Sequence, residues 1–112
     1  MRLTIFAVGR MKSGPETELV SRYTDRLAKA GKALGLEFDG LTEIPESRAQ
    51  TAAQRKSEES DKCAALAREA STVLILLDER GKSPSSRQFA DRIATWRDKG
   101  TARAVFGIGG PD

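Results

Sequence analysis

Apolar and polar positions form blocks along the chain, and the blocks predict strands and helices in turn. Leu3–Val8 is apolar at both odd and even positions, as expected of a strand with both faces buried, and Gly9 ends it. Val73–Leu77 is the most hydrophobic run and predicts a central strand. Arg103–Ile108 predicts a last strand, which leads into a glycine-rich end.

The second predicted strand, between Leu36 and Ile44, has a different pattern. Alternate positions divide into a mainly apolar set and an acidic set, namely Leu36, Phe38, Thr42 and Ile44 against Glu37, Asp39 and Glu43. This alternation predicts one buried and one exposed face, and therefore a strand near an edge of the sheet. Pro45 ends it.

Helices are predicted between the strands. The first begins at Pro15, which suits the first helical turn, and Gly31 and Gly35 end it. Its apolar stripe recurs at three- and four-residue steps and consists of Val20, Tyr23, Leu27, Ala30 and Leu34. The second covers Ala49 to Ala70 and is mostly polar. Its front half is expected to be exposed, with Glu58, Glu59 and Asp61 on a solvated face.

The third helix has a clear start signal. Ser85 and Gln88 match the capping-box pattern, and Gly100 ends the helix. Phe89, Ile93 and Trp96 form its buried stripe, so core packing is expected of the two aromatic residues. The order β-α-β-α-β-α-β predicts a single α/β domain over residues 1–112, with a mostly parallel sheet and flanking helices.

Composition excludes several kinds of chemistry. The chain has no histidine, so a Ser–His–Asp triad and a histidine-ligated metal are excluded. Cys63 is the single cysteine, which excludes an internal disulfide and a cysteine zinc cluster and is most simply a small buried hydrophobe. No segment approaches the roughly 20 apolar residues of a membrane span. We therefore expect a soluble, cytoplasmic protein without a metal.

The sequence has no standard nucleotide-binding motif, but two strand ends are candidate ligand sites. The sequence contains neither a P-loop nor the G-x-G-x-x-G pattern. Ligands of open parallel sheets bind beyond the carboxyl ends of strands, which here are Leu77-Asp78 and Ile108-Gly109-Gly110. Glycines let a flat ring approach the backbone, although a simple turn is the alternative. Asp78 either binds a ribose hydroxyl or caps the next turn.

Basic residues follow two of the strands. Arg10 and Lys12 come after the first strand, and Arg80 and Lys82 come after the third. If both loops meet at one sheet edge, four cations surround the proposed pocket and can contact RNA phosphates. Scattered surface cations are the alternative, and the net charge of +3 permits an anionic partner without requiring one.

Four segments, in this order, resemble one family. They are Arg2–Arg10, Ile44-Pro45, Leu77–Lys82 and Ile108–Asp112. Together they resemble the bacterial enzymes of the SPOUT (α/β-knot) superfamily that methylate N3 of a pseudouridine in 23S ribosomal RNA. The resemblance implies S-adenosylmethionine as cofactor, assembled ribosomes as substrate and a homodimer. It also implies that Leu77, Gly109 and Gly110 bind the cofactor, while it assigns no catalytic base.

Members of this family continue beyond the glycine motif into the segment that forms the knot. As it stands, the sequence is expected to hold half of a cofactor site, to lack the knot and to bind S-adenosylmethionine poorly. The alternative from another class is a ribosome-associated α/β binding module without activity.

Overall fold

A computed structural model describes residues 1–109. Gly110, one of the predicted cofactor-binding residues, lies outside this range. The strands are β1 (Arg2–Val8), β2 (Glu37–Ile44), β3 (Thr72–Leu77) and β4 (Arg103–Ile108). The helices are α1 (Pro15–Gly31), α2 (Ala52–Ala67) and α3 (Ser86–Asp98), and a short 3-10 turn (Lys32–Leu34) follows α1.

The four strands form one sheet in the order β2-β1-β4-β3, and all neighbours are parallel. Helices cover both faces. On one face Cys63 of α2 packs with Phe6 and Val105. On the other the Phe89 ring of α3 lies 5.7 Å from that of Phe106. The predicted α/β architecture is confirmed.

The position predicted for β3 is wrong. β3 pairs only with β4 within residues 1–109 and therefore lies at an edge of the described sheet. The hydrophobic run is only half-buried from Thr72 to Ile75 in the described sheet. Its last two side chains, Leu76 and Leu77, are 66% and 53% exposed.

β2 lies at the other edge, as predicted, but its alternation is interrupted. The pairing shifts between Leu3↔Phe38 and Ile5↔Leu41, and Gly40 adopts a φ of +106° there. A bulge of this kind moves the following residues to the opposite face. Phe38 and Ile44 therefore lie on different faces, which contradicts the predicted shared face.

Helix starts follow their caps. The Ser85 hydroxyl accepts a hydrogen bond from the Gln88 N–H at 3.1 Å, and the Gln88 side chain accepts one from the Ser85 N–H at 2.9 Å. The predicted capping box is thus confirmed. Thr51 caps the start of α2 by accepting a hydrogen bond from the Gln54 N–H at 3.2 Å. The helix covers Ala52–Ala67 and is therefore shorter at both ends than the predicted Ala49–Ala70.

Several of the predicted burial assignments are wrong, since Leu34 of the α1 stripe is 55% exposed and Phe89 of the α3 stripe is 37% exposed. In α1 the Tyr23 side chain is 58% exposed and carries the Arg26 guanidinium over its ring at 5.5 Å. In α2, by contrast, Glu59 is buried and accepts a hydrogen bond from the Ser47 N–H at 2.8 Å, so it does not belong to a solvated face. The segment before α2 folds back over this carboxylate.

The amino-terminal edge of the sheet holds a charge network. The buried Arg103 guanidinium pairs with Asp39 of β2 at 3.0 Å and with Glu69, beyond α2, at 3.6 Å. Thr4 of β1 also donates to Asp39 at 3.4 Å. These contacts connect β4, β1 and β2 with the segment that leads from α2 to β3.

Candidate functional site

The carboxyl ends of β3 and β4 lie side by side. Leu77 pairs with Ile108, and Gly109 is the next residue along β4. Neighbouring strands are about 4.8 Å apart, so the leucine tip and the glycine tip share one edge of the sheet. The structure thus brings together Leu77 and Gly109, two of the three residues predicted to bind a cofactor.

These tips are unusually accessible and apolar. Besides Leu76 and Leu77, the Ile108 side chain is 42% exposed. A Cβ placed on Gly109 would meet no atom within 4 Å, so the backbone there faces open space. The edge therefore offers an apolar surface next to an unobstructed stretch of backbone.

One cleft lies on the α3 side of this edge. It has a volume of about 600 Å³, and its walls include Leu77, Asp78, Phe89, Arg92 and Trp96. Phe89 and Trp96 therefore combine packing on the sheet with contact to this opening. The cleft has one hydrophobic wall and charged groups at its rim.

A second cleft lies on the α2 side. It has a volume of about 260 Å³ and is lined by Gly107, Gly109, Cys63, Lys56 and Arg80, among others. Of the apolar side chains at the edge, Leu77 lines the α3-side cleft, Ile108 lines the α2-side cleft, and Leu76 lines both. The edge thus separates two openings, and Gly109 lies at the boundary on the α2 side.

Gly107 makes the close approach of α2 to β4 possible. A Cβ at this position would lie 3.0 Å from Leu76 Cδ2 and 3.2 Å from Cys63 Sγ. The sequence patterns did not single out this glycine because its neighbours come from β3 and α2. The sequence signal for this close approach was a glycine in the interior of an apolar strand.

Asp78 caps the turn after β3. Its Oδ1 accepts a hydrogen bond from the Arg80 N–H at 2.9 Å, and its carbonyl accepts one from the Gly81 N–H at 2.9 Å. The hydrogen bond from the Arg80 backbone, aided by the nearby Arg80 guanidinium, lowers the pKa of the Asp78 carboxyl. Of the two predicted roles, the structure supports the cap.

Cys63 is buried in the core, as predicted from its place among alanines. Burial raises the pKa of its thiol, so the neutral form is favoured. The side chain therefore acts as a small hydrophobe that closes the inner end of the α2-side cleft.

The predicted cations reach the carboxyl edge but do not surround one pocket. Arg80 lines the α2-side cleft, and Lys82 lines the α3-side cleft. Arg10 lines a third cleft, of about 340 Å³, together with Arg48 at the ends of β1 and β2. Lys12 is exposed and lines none of these three clefts. Of the two alternatives, the structure favours scattered cations over a single ring, because the loops after β1 and β3 are separated by β4.

Two kinds of feature are absent from residues 1–109. No cluster of three or more histidine, cysteine or acidic side chains in that range has an arrangement that would hold a metal ion. Nor does any helix described there have the length and apolarity needed to cross a membrane.

Comparison with known proteins identifies the family of this chain. The model of a family described as "Predicted SPOUT methyltransferase" matches residues 1–112. A Brucella anthropi protein named ribosomal RNA large subunit methyltransferase H is 58% identical over 112 residues, which are 100% of this chain and 69% of the relative.

Proteins of the same name give similar results. The one from Chelativorans sp. (strain BNC1) is 55% identical over 112 residues, and the one from Brucella abortus (strain S19) is 53% identical over 120. This chain is covered completely in both alignments, and the relatives are covered to 64% and 71%. With a family model matched along its whole length and relatives more than half identical, the chain belongs to the SPOUT methyltransferase family.

Proposed function

We propose that this chain is part of an S-adenosylmethionine-dependent enzyme that methylates N3 of a pseudouridine in 23S ribosomal RNA. The proposal includes a homodimer that acts on assembled ribosomes in the cytoplasm. The names of the relatives support methylation of large-subunit ribosomal RNA, and the chain spans 64–71% of the three relatives described above. The observation that carries the proposal is the shared edge formed by Leu77 and Gly109.

The residues at this edge fit the proposed cofactor. The exposed side chains of Leu77 and Ile108 offer an apolar surface to an adenine ring. Gly109 carries no side chain, so its backbone N–H and C=O groups can approach a ribose or an amino-acid group closely. S-adenosylmethionine supplies an activated methyl group on a sulfonium, and its transfer to a nitrogen needs no metal.

The chain's own contribution is to bind and orient. The pyrimidine N3 forms a bond to the methyl carbon while the bond from carbon to sulfur breaks, and the N3 proton leaves to a base. The Asp78 carboxylate is engaged by the Arg80 N–H and is therefore poorly placed for this role. Leu77 and Ile108 act by excluding water from the adenine ring of the cofactor.

Leu77→Asp in the full-length protein tests the proposal. A carboxylate at this position would lose its hydration against an apolar ring, so calorimetric titration should show no binding of S-adenosylmethionine. Leu19→Asp is the matched control, because Leu19 is half exposed on α1, a helix whose main sheet contacts are with β2. It should leave both cofactor binding and methyl transfer to ribosomes unchanged.

Either of two results would reject the proposal. Methyl transfer retained by Leu77→Asp would show that the cofactor binds elsewhere. A full-length protein that binds ribosomes but neither binds S-adenosylmethionine nor transfers a methyl group would be the non-catalytic binding module instead.

A further inference from the structure

We propose that the cleft at the carboxyl ends of β1 and β2, lined by Arg10 and Arg48, binds a backbone phosphate of the RNA strand that carries the target base. The inference rests on the proposed function, because it names a contact for the same substrate. It assigns a positioning role to a cleft that is separate from the tips of Leu77 and Gly109.

The cleft lies on the same edge as those tips. Ala7 of β1 pairs with Ile108 of β4, so Val8 is level with Gly109. The cleft begins at the next residue, Gly9, and extends across to Pro45 and Arg48 beyond β2. One to two strand spacings, about 5–10 Å, therefore separate it from the glycine tip.

The backbone that carries Arg48 is held on both sides. Ser47 donates its N–H to the buried Glu59 carboxylate at 2.8 Å and its hydroxyl to Glu58. The Ala49 N–H donates to the Ser47 hydroxyl at 3.2 Å, and the Ala49 carbonyl accepts from Arg55 at 3.0 Å. Arg48 thus projects from a fixed segment, which lowers the entropy lost when its guanidinium binds a ligand.

The charge of the cleft suits a phosphate. Within residues 1–109, neither Arg10 nor Arg48 forms a side-chain ion pair, and Glu46 is the one acidic residue lining the cleft. Guanidinium groups match the oxygens of a phosphate in geometry as well as in charge. Two uncommitted arginines on a cleft of about 340 Å³ therefore favour an anion of this size.

RNA is the source of phosphate that the location favours. An enzyme that modifies a base within a folded nucleic acid must take that nucleotide out of its stack. The backbone on either side then needs contacts that hold it, and phosphates are the groups it presents. A cationic cleft one or two strands away from the proposed methyl donor is suitably placed for such a contact.

The experiment compares two pairs of substitutions in the full-length protein. Binding of a fluorescein-labelled RNA hairpin is followed by fluorescence anisotropy over a range of salt concentrations. One variant carries Arg10→Ala with Arg48→Ala, and the control carries Arg22→Ala with Lys29→Ala on exposed positions of α1. Both variants lose the same charge, and circular dichroism checks that both remain folded.

The proposal predicts unequal effects. The Arg10/Arg48 variant should bind the hairpin roughly tenfold more weakly, and its slope of log K against log salt should fall by about 0.7–0.9, as expected for one lost phosphate contact. The α1 variant should change affinity less than threefold, roughly the effect of general charge. Arg10→Lys with Arg48→Lys should recover part of the affinity, because charge returns without the planar guanidinium.

Several outcomes would overturn the inference. Equal losses in both variants would indicate general charge attraction, and no binding by the unchanged chain would remove the RNA contact altogether. Binding of inorganic phosphate, together with RNA binding that does not depend on Arg10 and Arg48, would indicate a site for free phosphate.

A failure of the proposed function would look different. S-adenosylmethionine binding would then be absent, while RNA binding would still depend on Arg10 and Arg48. Conversely, cofactor binding that is lost in Leu77→Asp, together with RNA binding that does not depend on the two arginines, would reject the cleft alone.

Discussion

At the scale of single residues, one glycine sets how closely a helix can approach the sheet. Gly107 lies on β4 under α2, where Cys63 and Leu76 come within contact distance of the space that a side chain would occupy. The α2-side cleft shares these residues, so its shape depends on the absence of a Cβ here. Gly109, two residues on, has no such neighbours.

Gly107→Ala should therefore destabilise the fold by about 1 kcal/mol, the low end for adding a methyl group to a packed core, because the exposed Leu76 side chain can move aside. Urea unfolding followed by circular dichroism measures the free energy of unfolding. Gly109→Ala is the control and should change it by less than about 0.5 kcal/mol, as for other exposed sites. Equal effects at the two positions would show that α2 does not pack on β4 as closely as described.

Single residues also show what the sequence could and could not predict about the site. Leu77 and Gly109 were predicted to meet because strand ends in a parallel sheet collect at one edge, which pattern alone indicates. Gly107 and Glu59 were missed because their importance depends on neighbours from other elements. A glutamate in a charged run looks solvated until the loop that covers it is known.

At the scale of elements, α2 and the segment before it act as a unit. The buried Glu59 carboxylate accepts from the Ser47 N–H, and Glu58 accepts from the Ser47 hydroxyl. The segment between β2 and α2 is thereby fastened to the first turns of the helix. The cleft that carries Arg48 depends on this attachment.

Glu59→Ala should leave the Ser47 N–H without its partner and cost about 1–3 kcal/mol in the free energy of unfolding. Glu59→Gln keeps an acceptor oxygen and should recover more than half of that loss. Asp61→Ala, at an exposed position on the same helix, is the control and should have little effect. Thermal and urea unfolding provide the comparison, and a Glu59→Ala protein as stable as Asp61→Ala would contradict the burial described for Glu59.

The elements were predicted better than their arrangement. Every strand and helix was found, since each follows from a local pattern of apolar residues and caps such as Ser85. The order of strands was not fully predictable: the hydrophobicity of β3 suggested a central strand, whereas it forms an edge of the described sheet. In β2 the bulge at Gly40 reverses the faces, and one glycine in an alternating run does not reveal that.

At the scale of the whole molecule, one group of exposed apolar side chains lies at the ends of β3 and β4, and a second group, Leu19, Tyr23 and Leu34, lies on and just after α1. Leu76, Leu77 and Ile108 are all more than two-fifths exposed, and β3 presents an unpaired edge within residues 1–109. An apolar edge strand readily pairs with another chain. The 112-residue chain should therefore form assemblies larger than the proposed homodimer as its concentration rises.

Sedimentation velocity tests this with Leu76→Lys, since a lysine on an edge strand opposes pairing between chains. The substitution should shift the distribution towards smaller species by several-fold at a given concentration. Leu19→Lys, which adds the same charge at a half-exposed position of α1, should have a smaller effect. Identical distributions for the two variants would place the association surface elsewhere.

Because all four strands run in the same direction, the molecule has two chemically different rims. The amino-terminal rim is occupied by the Arg103, Asp39 and Glu69 network, while the carboxyl-terminal rim carries the clefts and the accessible leucines. The charge network and the clefts therefore lie at opposite ends of the same strands. Engineering for heat resistance can therefore begin around Arg103, at the rim opposite to the clefts.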